Sequence, residues 1–277
     1  SCTLPATNDS MPGPAIVLAG STGNSMAQFT FSAANEGFTI DQLKLKVPNN
    51  FATSAAAITV KYKNKAGAAQ QSSAVFVTGA EANATATFTN LTIYVPSNSD
   101  TSIDVYVDLT SIADGATSGA IGTVTLDYNE GFNATKDSGG SPLTSVGSAD
   151  LASNSFYVRK SKPTFAKQTL TGAPSTGNAL FKFTVIADGR GNIEIKQLGF
   201  TVTTNGMDVA SLYLYDTNSG TQLTDTPVSP VITGDSVKLV YGRAAGTAGS
   251  AGDDHILVIG SADSPVKTYE VRGTVTN

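Results

Sequence analysis

The only histidine, His255, stands in Asp253-Asp254-His255-Ile256-Leu257-Val258, at the head of a predicted strand. A Ser-His-Asp device would have to use it, and no Gly-x-Ser-x-Gly elbow accompanies it. The local reading is a strand-end imidazole solvated beside two carboxylates. A zinc site would need more nitrogen and sulfur ligands than His255 and Cys2 supply. No catalytic residue, no metal ligand and no cofactor is therefore assigned.

Hard cations need only oxygen ligands, and three stretches carry them. They are Asp216-Thr217-Asn218-Ser219-Gly220 with Asp225, Asp127-Tyr128-Asn129-Glu130 with Asp137, and Asp188 with Asn192 and Glu194. None follows the twelve-residue calcium loop with Gly at its sixth position and Glu at its last. Asp and Asn are also ordinary turn residues. The loop Gly242-Arg243-Ala244-Ala245-Gly246 to Gly252 lacks the Gly-Lys-Ser/Thr ending of a phosphate cradle and reads as a hairpin loop. Tyr213 and Tyr215 alternate with Leu212 and Leu214, so both face one side of a strand. Such a pair either stacks on a sugar ring or forms one face of an amphipathic sheet.

The composition sets the surface on which any chemistry would sit. Charged residues make up only 14%, there is no Trp, and Gly, Ser, Thr and Ala are abundant. A surface of small polar groups suits a secreted or densely packed protein. Seventeen Lys and Arg against 22 Asp and Glu give a net charge of −5 with no basic run, which excludes the cationic footprint of nucleic-acid binding. No apolar run reaches the roughly 18 residues of a membrane span. A single cysteine, Cys2, rules out an intrachain disulfide and reads as an exposed thiol near a loose terminus. Ser1 and the lack of a charged-then-apolar leader read as a processed chain or a piece of a longer one. Sequons at Asn8, Asn83, Asn90 and Asn133 are candidate glycosylation sites.

The elements that must carry these residues are strands. Ala27, Phe29, Phe31 and Ala33 alternate with Gln28, Thr30 and Ser32, the period of a half-buried strand. Similar runs are predicted at 38–47, 58–63, 74–78, 84–88, 91–95, 103–109, 123–128 and 156–158. Further strands are predicted at 179–187, 193–203, 212–215, 228–232, 236–241, 255–259 and 267–276. Turn-forming Asn, Asp, Gly, Pro and Ser separate them, residues 1–22 read as irregular, and no helical period appears. Many short strands between regular turns predict an all-β sandwich fold.

The chain also repeats itself. Gly23-Asn24 through Phe29-Thr30, Ala33, Gly37, Ile40, Gln42-Leu43 and Val47 recur as Gly177-Asn178 through Phe183-Thr184, Ala187, Gly191, Ile195, Gln197-Leu198 and Val202. The offset is 154 residues, becoming 155 before Ile40. The lead-in segments echo too, Asp9-Ser10-Met11-Pro12 against Lys160-Ser161-Lys162-Pro163, and Tyr269, Val271 and Val275 fall where Ile103, Val105 and Leu109 fell. A repeat this long predicts two domains in tandem. After Leu109 the first copy continues through 123–128 and 156–158, whereas the second stops just past Val275. It is expected to lack its closing strands.

Lys160-Ser161-Lys162-Pro163, Leu180-Phe181-Lys182-Phe183-Thr184-Val185-Ile186-Ala187-Asp188, Ile195-Lys196-Gln197-Leu198-Gly199-Phe200-Thr201-Val202 and Tyr269–Val275 resemble a repeated immunoglobulin-like module of large secreted surface proteins of small-genome bacteria. That resemblance implies an extracellular structural or adhesive role with no catalytic residues.

The resulting expectation is an N-terminal segment at 1–12, an immunoglobulin-like β-sandwich at 13–160 and an incomplete one at 161–277. The expected function is a non-enzymatic cell-surface subunit whose copies join head to tail. Residues 1–8 are expected to serve as a donor strand for a neighbour's second domain, with Leu4, Tyr269, Val271 and Val275 as interface residues. A carbohydrate- or host-binding adhesin is the alternative, with glycans as partners.

Overall fold

In the computed structural model, residues 6–8, 12–79, 81–171, 178–188, 190–195, 197–223, 236–242, 256–258 and 265–276 are described. The chain is nearly all β and divides into two compact units, Ser1–Lys160 and Ser161–Asn277.

The first unit opens with β1 (Ala6–Asn8), β2 (Ala15–Leu18), β3 (Asn24–Ser32) and the long β4 (Phe38–Pro48). One helical turn, α1 (Asn49–Ala52), leads to β5 (Ala55–Lys63) and β6 (Ala69–Ala74). Then come β7 (Asn83–Phe88), β8 (Ile93–Val95) and β9 (Asp100–Leu109). A closing segment of short pieces follows: β10 (Ile121–Gly122), β11 (Thr125–Leu126), β12 (Asn133–Lys136), β13 (Leu151–Ala152) and β14 (Phe156–Arg159).

Alternation decides which face is buried. Phe29 and Phe31 of β3, and Phe38, Ile40, Leu43, Leu45 and Val47 of β4, are all at most 1% exposed. β3 lies in a five-stranded sheet of order β1-β3-β9-β5-β6. β4 centres the facing sheet, with β8 and β7 along one edge and β12 and β11 along the other. β2 pairs in parallel with β14, and β10 joins β14 antiparallel. The first two strands thus enter different sheets. Pro12, Gly13 and Pro14 lie between them, where the chain must break its strand conformation.

The second unit contains β15 (Pro163–Gln168), β16 (Asn178–Ala187), β17 (Ile193–Ile195) and β18 (Gln197–Thr203). They are followed by β19 (Asp208–Asp216), β20 (Thr221–Gln222), β21 (Ser236–Gly242), β22 (Ile256–Val258) and β23 (Val266–Thr276). Its sheet order β15-β16-β23-β19-β20 reproduces that of the first unit. The match extends to register. Phe183 opposes Tyr269 as Phe29 opposes Ile103, and Leu214 opposes Val271 as Val60 opposes Val105. Ile195 opposes Ile256 as Ile40 opposes Ile93, and Leu198 opposes Tyr241 as Leu43 opposes Phe88. The sequence repeat is therefore a repeat of strand pairing.

Several elements depart from the sequence expectation. Residues 1–22 are not irregular throughout, since they hold β1 and β2. Ala6, Thr7 and Asn8 pair with Phe31, Thr30 and Phe29 of their own unit, so this part of the expected donor strand is engaged at home. The strand expected at 74–78 lies instead at Ala69–Ala74, whose Gln and Ser side chains carry no apolar alternation. The run 123–128 pairs with β4 only over Thr125–Leu126. β12, β13 and β15 carry no sequence period, because they are short or polar pieces. The expected strand at 228–232 falls outside the described residues.

Candidate functional site

In the first unit both edges of β4 are paired. In the second, β17 and β18 carry β22 and β21 on one edge and, among the described residues, nothing on the other. The burial of matched positions follows this difference. Met26, Ala27, Leu43, Leu45, Val47 and Leu109 are buried, whereas their counterparts Leu180, Phe181, Leu198, Phe200, Val202 and Val275 are only half-buried. In the first unit Leu126 lies directly across from Leu45, and Val124, Phe156 and Val158 belong to the same core.

The consequence is an open groove of about 560 Å³ in the second unit, lined by Leu180, Phe181, Phe200, Val202, Val271 and Val275, with Met207 also at its wall. Among the described residues no charged side chain lines it, and Thr201, Thr203, Thr204 and Asn205 add polar groups at its wall. Beneath it Phe183 packs against Phe181, Phe200 and Tyr269, with ring centroids 5.6, 5.4 and 5.6 Å apart. An apolar trough beside an unpaired strand edge offers side-chain pockets and backbone hydrogen-bonding groups together. Those are the two requirements for receiving an added strand.

Of the four expected interface residues, the structure brings Val271 and Val275 together in this groove. Tyr269 lies deeper, 1% exposed in the aromatic cluster, and Leu4 lies outside the described residues. Phe181 and Phe200, whose counterparts Ala27 and Leu45 are core in the first unit, form groove wall here. Gly273 permits the close approach here, because a Cβ would meet Leu180 and Val209 at 3.0 Å.

The remaining candidates are occupied elsewhere. Asp216 accepts from the backbone N–H groups of Asn218 and Ser219, and Asp188 from Ser161 Oγ and the Arg190 N–H. Asp127 accepts from the N–H groups of Asn129 and Glu130 and pairs with Lys46 at 3.1 Å, while Asp150 lies 2.6 Å from the same ammonium. Burial opposes ionisation of Asp127, but these hydrogen bonds and Lys46 outweigh it and hold its carboxyl below the usual value. Among the described residues no three His, Cys, Asp or Glu side chains are placed to hold a metal ion. His255 and the loop 243–252 lie outside the described residues, as does Cys2.

Tyr213 and Tyr215 do share one face, but the Arg272 guanidinium covers the Tyr215 ring at 4.2 Å and the phenol bonds Gln222. Arg272 and Lys182 also flank Glu270 and hold its carboxyl below the usual value against the opposing effect of burial. A second depression, about 960 Å³, lies in the first unit among Lys61, Lys63, Lys65, Tyr94, Asp100 and Asp104. Lys65 and Tyr94 there are already bonded to Asp137, each at 2.7 Å. Of the sequons, Asn8, Asn83 and Asn90 are exposed, whereas Asn133 is half-buried with its Oδ1 enclosed.

No protein-family model and no curated protein matches the chain. Among solved structures it is similar to a family 123 glycoside hydrolase from Clostridium perfringens, at 11% identity and TM-score 0.28, covering 56% of this chain and 27% of that one. It is also similar to AvmM, which catalyses macrocyclization in alchivemycin A biosynthesis, at 11% identity and TM-score 0.30 over 62% of this chain and 91% of that one. A red sea bream transglutaminase aligns with 96% of this chain and 30% of its own, at 11% identity and TM-score 0.23. The chain thus spans about a quarter of the hydrolase. Scores this low carry no inference about activity.

Proposed function

We propose that this chain is a non-enzymatic, extracellular structural subunit of a cell-surface filament or lattice, and that copies join when a strand from one enters the open groove of the next. The observation that carries the reading is the set of matched positions, buried in the first unit and half-buried in the second, of which Leu198, Phe200 and Val202 lie on β18, unpaired on one edge among the described residues. Exposed edges beside apolar surface are ordinarily managed by pairing or cover. The first unit's closing segment, with Val124, Leu126, Phe156 and Val158 in its core, is the template for the occupant.

The donor in this proposal is the N-terminal segment with Leu4. Its residues Ala6–Asn8 form a strand of 3 residues on the edge of β3, so donation exchanges one weak pairing for a stronger one rather than capturing a free tail. Seating two or three apolar side chains would stabilise the joint by about 1.5–3 kcal/mol each. A head-to-tail contact that does not close propagates as a filament. Deleting residues 1–12 and imaging the protein by electron microscopy tests this, alongside Phe200→Lys, which places a charge in the groove. Both changes are expected to abolish polymers, and polymers that survive the deletion unchanged would overturn the joint.

A further inference from the structure

The first unit carries a second unguarded edge. β6 pairs with β5 on one side and, among the described residues, with no strand on the other. Edge strands are usually blunted by brevity, Pro, Lys or a bulge. The matching sheet edges obey that rule: β1 has 3 residues, β20 has 2, and β15 begins at Pro163 and carries Lys167. β6 does not. No charged residue and no Pro occurs anywhere from Ala66 to Ala80. Just beyond the strand, Val75 and Val77 are 62% and 65% exposed.

We infer that β6 is a lateral docking edge that takes β6 of a second copy of this chain, antiparallel across a two-fold axis. Two features select a copy over another partner. First, the strand Ala69-Gln70-Gln71-Ser72-Ser73-Ala74 complements itself. A two-fold axis normal to the sheet keeps both cores on one side, so only residues of the same face oppose each other. Centred on Ser72, this register sets Gln71 against Ser73, amide to hydroxyl, on both sides of the axis. It also sets exposed Val75 against Ala69, large against small, and ends there, because the Val77 backbone is bridged to Thr85 of its own unit and Gly67 lies in the hairpin turn. Second, the chain carries a net charge of −5, and identical acidic surfaces approach best where charge is absent. An isologous contact of this kind closes as a dimer. Added to end-to-end joints, it would tie filaments into a lattice. It does not depend on strand donation, and removing residues 1–12 is expected to leave it intact, so the two ideas fail separately.

The test exploits the register. Gln71 and Ser73 are both exposed, so charges are tolerated there in the monomer. Gln71→Glu with Ser73→Glu sets like charges opposite each other twice, whereas Gln71→Glu with Ser73→Lys sets opposite charges together twice. Sedimentation velocity on the full chain carrying Phe200→Lys, which blocks end-to-end joints, is expected to show dimers, a dimer weakened about tenfold or more by the like-charge pair, and a dimer retained by the opposite-charge pair. In a Cys2→Ser chain, Ser72→Cys is expected to give a covalent dimer on mild oxidation, because residue 72 meets itself at the axis. Asn83→Cys in the same background is the control and is expected to give none. A Phe200→Lys chain that shows no lateral association would overturn the proposal. So would double variants that behave alike in that background, open-ended fibrils of it in place of dimers, or no more cross-linking at position 72 than at 83.

Discussion

Phe183 lies under the groove among four aromatic neighbours, 4% exposed, and its ring is within 6.5 Å of Phe165 as well as the three rings of the cluster. Phe183→Ala should cost about 3–5 kcal/mol by denaturant unfolding, since the rings around it cannot collapse into the space. Phe200→Ala should cost less, about 1–2 kcal/mol, because a half-exposed ring has less apolar area to lose. Its counterpart Leu45 is 0% exposed, and Leu45→Ala should fall in the range of about 2–5 kcal/mol. An equal loss for Phe200 and Leu45 would contradict the open groove. Asp127 gives the residue scale its pH dependence. Its folded pKa is depressed below 3.8, so its contribution is present above that value and is lost as pH falls through the lower folded one. Lys46 is raised above 10.5 by Asp150 and Asp127 in spite of burial, so its contribution is lost only as pH rises past the raised value. First-unit stability should therefore be flat from about pH 5 to 8 and fall in acid. Asp127→Asn should flatten that acid limb, and an unchanged acid limb in unfolding curves at pH 3 and 7 would sink the assignment.

At the scale of elements, the closing segment is what one unit has and the other, among the described residues, does not. It is held to β4 by Lys44–Glu130 at 2.7 Å and by Lys46 with Asp127 and Asp150. The repeat places Gly199 and Thr201 at the positions of Lys44 and Lys46, so β18 offers no such anchors. The segment also packs on α1, where a Cβ on Gly122 of β10 would run into the Phe51 ring. Gly122→Ala should destabilise the first unit by about 1–3 kcal/mol through overpacking, and Phe51→Leu should relieve part of that cost in the double variant. Additive losses would show that the two residues do not meet. These contacts also explain what could be read in advance. β3, β4, β9, β16 and β23 announced themselves because each buries one face over many residues, and alternation is the signature of that. β12 and β13 did not, since pieces of 4 and 2 residues are placed by tertiary pairing and ion pairs. The apolar alternation at 74–78 does not mark a buried strand, because Val75 and Val77 are exposed, while polar β6 beside it carries no period.

At the scale of the whole molecule, the repeat made the tandem plan legible, while the groove was legible only by comparing one copy with the other. Two units with separate cores should unfold in two transitions rather than one. The second unit should melt first, because six positions buried in the first are half-buried there. Phe183→Ala should then lower only the earlier transition in scanning calorimetry, and Gly122→Ala only the later. The same experiment reports on the occupant of the groove. If the proposed joint is right, a synthetic peptide of residues 1–12, added in trans, should bind the folded second unit but not its unfolded chain and raise the earlier transition by mass action. At a hundredfold excess over Kd the stabilisation is about 2.7 kcal/mol, easily resolved as a shift that grows with peptide concentration. The later transition should not move. A peptide with Leu4→Asp should lose the effect, because a carboxylate loses its hydration in a trough whose described lining carries no cation to pair with it. If the peptide leaves both transitions in place, the N-terminal segment is not the strand that fills the groove.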